Sequence, residues 1–475
     1  MNRSIDRRDF LKRSSMGFGM LSLRNLMQGN VLAGDSPLAP LAPRIPHFAP
    51  KARSVIFLYM DGGVSQVDSF DPKPQLDKEN GQLPKFKTDA TVFNSKGNLL
   101  KSPWEFKNYG QSGLPVSGLF PHIGSCADDL CVIRSMTAFS PNHPNANYAL
   151  HCGHVLSGRP SMGACFSYGL GTLSQNLRSY VVINGGLVPL ADSSPWRTRP
   201  TFGSGFLPVN HEGTIIAHKH PVMNNILPQE KVSELQQKKL SFIDKIDRDL
   251  LNHYHHADQV QTAAQNYELA FRMQMEVLEV SDLSKESAAT KSLYGMNAPH
   301  DQTRNYGAQC LMARRLVEQG VGFVEFTMPD DKGADRWDQH GNLIHGHERN
   351  ASTVDQPIAA LIKDLKSRGL LDSTLIVFSD EFGRTPFSQG KDGRDHNPQG
   401  FSIWLAGGGI KGGTIYSTID DYGYRAIEKK ITVHDLHANM MHLMGINHTK
   451  LTYRYSGHDV RLTDDHGEII PEILA

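Results

Sequence analysis

Three short stretches of this chain are continuously apolar, and each runs straight into acidic residues. Ser54 to Met60 (Ser-Val-Ile-Phe-Leu-Tyr-Met) ends in Asp61-Gly62-Gly63, Val321 to Met328 leads to an acidic loop, and Leu375 to Ser379 leads to Asp380-Glu381. An uninterrupted β-type run suits a strand covered on both faces. The second and third runs follow stretches of helical periodicity, Tyr306 to Gln319 and Asp355 to Arg368. Helix and strand in alternation predict an α/β fold with a mostly parallel central sheet and helices on both faces. Ligands of such sheets bind outside the carboxyl ends of the strands, so the acids there are placed for chemistry. Between Gln229 and about Met296 the composition shifts to Glu, Lys, Gln, Ala, Leu and Met, which predicts a helical insertion on the side of the main domain. His253, His255 and His256 within it are expected on a solvated face.

Composition narrows the function classes. The 49 Lys+Arg balance 49 Asp+Glu, which leaves no electrostatic footprint for nucleic acid. No apolar run approaches the roughly 20 residues of a membrane-spanning helix. The cysteines, Cys126, Cys131, Cys152, Cys165 and Cys310, form no Cys-x-x-Cys pair, which argues against a disulfide scaffold and a thiolate zinc site. The N-terminus, Arg7-Arg8-Asp9-Phe10-Leu11-Lys12 followed by a mildly apolar Gly/Ser segment and Val31-Leu32-Ala33, resembles a twin-arginine export signal. It predicts a signal peptide over 1–33, a Pro-rich extended linker over 34–50 and a folded domain over 51–475. The expected address is periplasmic or secreted, reached in the folded state through the twin-arginine translocase.

Five segments carry residues suited to chemistry. They are Asp61-Gly-Gly-Val-Ser65-Gln-Val-Asp68, Ser140-Pro-Asn142-His143 through His151-Cys-Gly153-His154, Asp335-Arg-Trp337-Asp338-Gln-His340 with His345 and His347 after it, Asp380-Glu381-Phe-Gly383-Arg384-Thr-Pro386, and Gly393-Arg394-Asp395-His396-Asn-Pro398. Singly each has a bland reading, since a strand-end Asp caps helices and Arg-Asp-His forms ion pairs. Together they set carboxylate oxygen and imidazole nitrogen beside glycines and arginines, a donor set for Zn, Mn or Fe, or for Mg and Ca where oxygen dominates. Two such ions roughly 3.5–4 Å apart stabilise the attacking and leaving oxygens of a phosphoryl-type displacement. Arg384 and Arg394 offer fork-shaped donors for an anion clamp, and Gly62 and Gly63 let the backbone approach a ligand. His434, His437 and His442 fall near one helical face and are expected to pack or cap. His151 and His154 read either as support for an anion or as satisfied core histidines. Ala406-Gly-Gly-Gly reads as a strand followed by a tight turn.

Asp61 at its strand end, the block Asp355 to Gly383 and the later His396 resemble the alkaline phosphatase and sulfatase superfamily. More closely, Asp61-Gly-Gly, Phe70-Asp-Pro-Lys-Pro, Gly158-Arg-Pro-Ser, Trp337-Asp-Gln-His, Glu381-Phe-Gly-Arg-Thr-Pro, Gly393-Arg-Asp-His-Asn-Pro and Ala406-Gly-Gly-Gly occur in one order. Through them almost the whole mature chain resembles the bacterial domain-of-unknown-function family 1501, which sits within that superfamily. The resemblance implies a three-layer alkaline phosphatase-like sandwich with one or two divalent ions (Zn, Ca, Mg or Mn). It implies Asp61, Asp338, His340, Asp380, Glu381 and His396 as metal ligands, with His345 or His347 as substitutes for His340. The superfamily's nucleophile, a Cys, Ser or Thr at a helix start, has no counterpart here, because His143 followed by Pro144 stands at that place. A metal-activated water or His143 itself then attacks, or Ser140 or Ser65 reaches in, or catalysis is lost. Arg384 joins His143 as a catalytic residue, and Arg394 and Asn142 are expected to bind substrate. The reading is an exported metal-dependent hydrolase of phosphate or sulfate esters, including those of sulfated or phosphorylated glycans. The alternative is a non-catalytic metal-containing module that binds anionic polysaccharide or partner proteins.

Overall fold

Along the first strand, β1 (Ser54–Tyr59), Val55, Phe57 and Tyr59 pack into one apolar core while Ile56 and Leu58 pack into another. That alternation, with every residue buried, is what a doubly covered strand requires. The computed structural model describes residues 41–475 except 92, 94, 95, 175, 187–198, 330, 332–334 and the stretch 218–275, of which only 238, 241, 242, 245 and 246 are described. The expected signal peptide, the first part of the linker, most of the helical insertion and His253, His255 and His256 lie outside the described residues. The end of that insertion is helical over residues 276–281.

The strands that build the site follow β1 as β2 (Leu130–Met136), β3 (Tyr180–Asn184), β4 (Thr214–Ala217), β5 (Phe323–Thr327), β6 (Thr374–Ser379), β7 (Gly383–Gln389), β8 (Gly393–Asn397), β9 (Phe401–Ala406) and β10 (Thr414–Tyr416). Eight of them form one sheet in the order β10-β2-β9-β6-β1-β5-β3-β4, and β7 with β8 forms a separate antiparallel hairpin. Within the sheet only β9 runs antiparallel to its neighbours, β2 and β6. The helices that concern the site and its layers are α1 (Gln66–Ser69), α2 (His143–Cys152), α3 (Met162–Leu170), α4 (Asp301–Glu318), α5 (Leu343–Ser367) and α6 (Val433–Leu443). Leu311 and Leu316 of α4 and Ile358 and Ile362 of α5 join the core of Ile56 and Leu58. Phe166 of α3 and Met440 and Met441 of α6 join that of Val55 and Phe57. The result is the expected α/β sandwich of three layers.

The α5 helix begins at Leu343, twelve residues before the expected start at Asp355. The polar run His345-Gly-His347-Glu348 hides its periodicity, yet Leu343, Ala351 and Val354 continue the buried stripe of Ile358, Leu361 and Leu365. Residues 41–50 lie on the body instead of standing clear of it. Arg44 donates its N–H to the Leu170 carbonyl at 2.8 Å, and the Phe48 ring packs on His442 at 5.0 Å. After β9, Gly407, Gly408 and Gly409 turn the chain as expected.

Candidate metal centre

Four segments deliver the site to the carboxyl edge of the sheet. His143 is the first residue of α2, Asp338 and His340 sit in the loop between β5 and α5, and His396 lies on β8, paired with Arg384 on β7. The loop is pinned to β1, because Trp337 donates its N–H to the Asp61 carbonyl at 3.1 Å. Here Gly62 is required: at φ 112°, a Cβ on it would lie 2.7 Å from the Asp338 nitrogen. A Cβ on Gly63 would lie 2.8 Å from the Phe382 carbonyl oxygen. The two glycines, expected to admit a ligand, admit neighbouring backbone.

One donor atom from each of His143, Asp338, His340 and His396 lies within 4.8 Å of the others. The Nε2 atoms of His143, His340 and His396 stand 3.2, 3.0 and 3.1 Å from the Asp338 carboxylate. Each ring is held from behind by its other nitrogen. His143 Nδ1 meets Glu381 Oε1 at 2.6 Å, His396 Nδ1 meets the Pro141 carbonyl at 2.6 Å, and His340 Nδ1 meets the side-chain oxygen of Gln389. A carbonyl only accepts, so His396 Nδ1 carries the hydrogen and its Nε2 lone pair faces the cluster. Holding a ring through Nδ1 so that Nε2 faces the ion is how proteins orient histidine ligands, and His143 reaches that partition once it gives up its Nε2 proton. The Asp338 side chain is 34 % exposed, so the cluster opens to solvent, while that of His396 is 3 % exposed and forms the floor.

The electrostatics follow from the neighbours. Burial alone would raise the Asp338 carboxyl, but Arg384 and the three imidazoles hold it far below the usual carboxylate range. Burial, helped by Arg384, lowers His396 to about 3, so that ring is neutral. For His143 burial acts downward, and the carboxylates of Asp338 and Glu381 overcome it and raise the ring to about 9. In the metal-free protein His143 is thus protonated at neutral pH, and an ion must displace that proton. We expect proton release on ion binding at pH 8 and its disappearance as pH rises through about 9. Calorimetric titration in buffers of different ionisation enthalpy measures it.

The other expected site residues are distributed around this cluster. The buried Asp61 carboxylate accepts from Arg336 at 2.7 Å and stands 3.2 Å from the Tyr59 oxygen. Asp380, fully buried, accepts from the Val64 N–H at 2.7 Å, and burial together with Glu381 pushes its carboxyl well up. Glu381 accepts from the Gly62 N–H at 3.0 Å and from the Tyr59 hydroxyl at 3.1 Å, which aims it at His143. Exchanging it, Glu381→Gln, is expected to weaken metal binding about 10–100-fold, read by competition with a chromogenic chelator. Arg384 bonds Asp338 at 2.6 Å and the Gly63 and Arg394 carbonyls at 3.1 Å each. Arg394 directs its donors away from the cluster, to Asp68 at 2.7 and 3.1 Å and to the Thr385 carbonyl at 3.1 Å. Asn142, exposed at the N-cap of α2, makes no side-chain cap. His345 is exposed on α5, and His347 is buried between Trp104 and Trp337. Ser65 donates to Asp68 at 2.5 Å, and Ser140 accepts from the Asn142 N–H at 3.1 Å.

Sequence reasoning missed Arg336, Gln389, Tyr59 and Asn147. The last carried a signal: His143, Asn147 and His151 recur every four residues on α2, and all three face buried polar partners. His151 is a satisfied core histidine, bonded to Glu325 at 2.6 Å and to the Asn147 carbonyl at 2.7 Å. His434 and His437 of α6 meet the carbonyls of Gly153 and Leu150 at 2.7 and 2.8 Å and so cap the carboxyl end of α2.

A family model described as a protein of unknown function (DUF1501) matches residues 52–474. The chain belongs to that family. No curated protein sequence matches this DUF1501 chain. Among solved structures it is similar to a lipoteichoic acid synthase from Listeria monocytogenes, with TM-score 0.38 and 7% identity over 89% of this chain and 78% of the other. It is similar to a protein of the alkaline phosphatase superfamily from Vibrio parahaemolyticus, with TM-score 0.37 and 10% identity over 90% and 74%. It is also similar to a sulfatase from Pseudoalteromonas sp., with TM-score 0.35 and 12% identity over 85% and 68%. No described helix is long and apolar enough to cross a membrane.

Proposed function

We propose that this chain is an exported, divalent-metal-dependent hydrolase of phosphate or sulfate esters. The observation that carries the reading is the convergence of three imidazole Nε2 atoms on one carboxylate, each ring fixed through its Nδ1. His143, Asp338, His340 and His396 would hold the ion. Three nitrogens and one carboxylate fit Zn, Mn or Fe better than the oxygen-loving Mg or Ca. An ion bound there supplies Lewis acidity toward an ester oxygen and activates water at neutral pH.

The chain's own residues do the rest. The N-terminus of α2, beside the exposed Asn142 amide, favours an anionic ester group at the mouth of the cluster. Glu381 keeps the proton on His143 Nδ1, which commits Nε2 to the cluster. Arg384 braces Asp338 from a fully buried position and fixes the carboxylate's direction. Ser65 donates to Asp68 and Ser140 accepts from the Asn142 N–H, and neither belongs to the four converging donors, so this reading takes water as the nucleophile.

The test is turnover of p-nitrophenyl phosphate and p-nitrophenyl sulfate by the purified mature chain, with added Zn or Mn and with chelator. Turnover that the chelator abolishes and Zn or Mn restores is expected. Bound ion with neither ester hydrolysed would replace this reading with the metal-containing module that binds anionic polysaccharide. Export is tested separately: replacing Arg7-Arg8 by Lys-Lys is expected to retain the protein in the cytoplasm, and unchanged secretion would overturn the address.

A further inference from the structure

The site has more acid than one cluster uses. Besides Asp338, the carboxylates of Asp61, Asp380 and Glu381 lie buried at the ends of β1 and β6, and the Tyr59 oxygen stands 3.2 Å from Asp61 and 3.1 Å from Glu381. A buried carboxylate must be paired with a cation or held by hydrogen bonds. The chain itself supplies those partners. Arg336 sits 2.7 Å from Asp61, with both side chains 4 % exposed. Two backbone N–H groups answer the other acids, Gly62 to Glu381 at 3.0 Å and Val64 to Asp380 at 2.7 Å. Glu381 is further committed to the Tyr59 hydroxyl and to His143. Arg384, fully buried, bonds at 2.6 Å the same Asp338 Oδ1 that His340 and His396 face. One oxygen of Asp380 is left without a partner, a single donor atom and no cage.

We infer that the centre takes one divalent ion, with the Arg336 guanidinium serving Asp61 in place of a second. The inference rests on the proposed metal site and adds its stoichiometry. Asp61 is then a structural acid whose partner is an arginine, and its removal leaves the ion in place.

The experiment is metal titration of the full mature chain with Zn alone, followed by gel filtration and elemental analysis, for wild type, Asp61→Asn and His396→Ala. Circular dichroism reports whether each variant is folded. One ion per wild-type chain with a single-site isotherm is expected, and folded Asp61→Asn still binds one ion per chain. Two ions per wild-type chain, or loss of the ion from folded Asp61→Asn, overturns the inference and leaves the metal site standing. No ion in wild type overturns both. The wild-type stoichiometry decides the matter even where a variant does not fold.

Discussion

His396→Ala is expected to empty the metal centre while leaving the fold in place. The ring supplies one of four donors, and its loss leaves Asp338 facing two imidazoles and Arg384. Changing a residue that only orients a ligand costs about 10–100-fold in affinity, so deleting a ligand should cost more than about 100-fold. At micromolar free Zn the wild type should hold its ion and the variant almost none. Hydrolysis of phosphate or sulfate esters should fall by at least the same factor, and added Zn should restore part of it. The circular dichroism spectrum should not change, since the sheet and its helical layers are built without this ring. A variant that retains both ion and turnover would remove His396 from the centre.

The second large effect lies behind the site. Asp68 and Arg394 form a bidentate pair with both side chains 0 % exposed, and three backbone carbonyls (Thr385, Leu100 and Lys101) accept the remaining guanidinium donors. Removing one member leaves a buried charge without its partner, which costs about 3–5 kcal/mol, whereas exchanging both for apolar groups costs much less. Asp68→Ala should therefore lower the urea midpoint strongly, and Asp68→Asn combined with Arg394→Met should recover part of that loss. A substrate-binding arginine behaves differently: its substitution raises KM and barely moves stability. Measuring both quantities on Arg394→Met separates the two roles.

These cases show where the sequence speaks and where it is silent. The strands β1, β5 and β6 were legible because an apolar run that is buried on both faces has no other use, and the acids at their ends marked the edge where a site forms. The helix start at His143 was implied by the resemblance to the superfamily's nucleophile helix, and α2 does begin there. The partners of each charged group were not. Arg336 meets Asp61 across 275 residues and Gln389 meets His340 across 49, contacts set by loops that have no period to read. Arg384 and Arg394 lie in matching places in their motifs, yet one braces Asp338 and the other pairs with Asp68. Neighbouring positions on a tightly turned hairpin point their side chains to different surroundings, and the sequence states only that both are arginine.

The four donors belong to residues 143, 338, 340 and 396, on a helix, a loop and a hairpin that meet only when the sheet is complete. Closing chain loops of that length carries an entropic penalty that native packing must offset first, so the cluster is among the last features to form. Of the set the unfolded chain holds only Asp338 and His340 side by side, two donors where the folded centre offers four. Ion affinity is therefore a property of the finished fold, and by mass action an ion at a hundred times its Kd deepens the native basin by about 2.7 kcal/mol. On the proposed reading the ion adds a margin of stability to a fold that stands without it, so metal supply shifts the chain's resistance to unfolding and proteolysis as well as its chemistry.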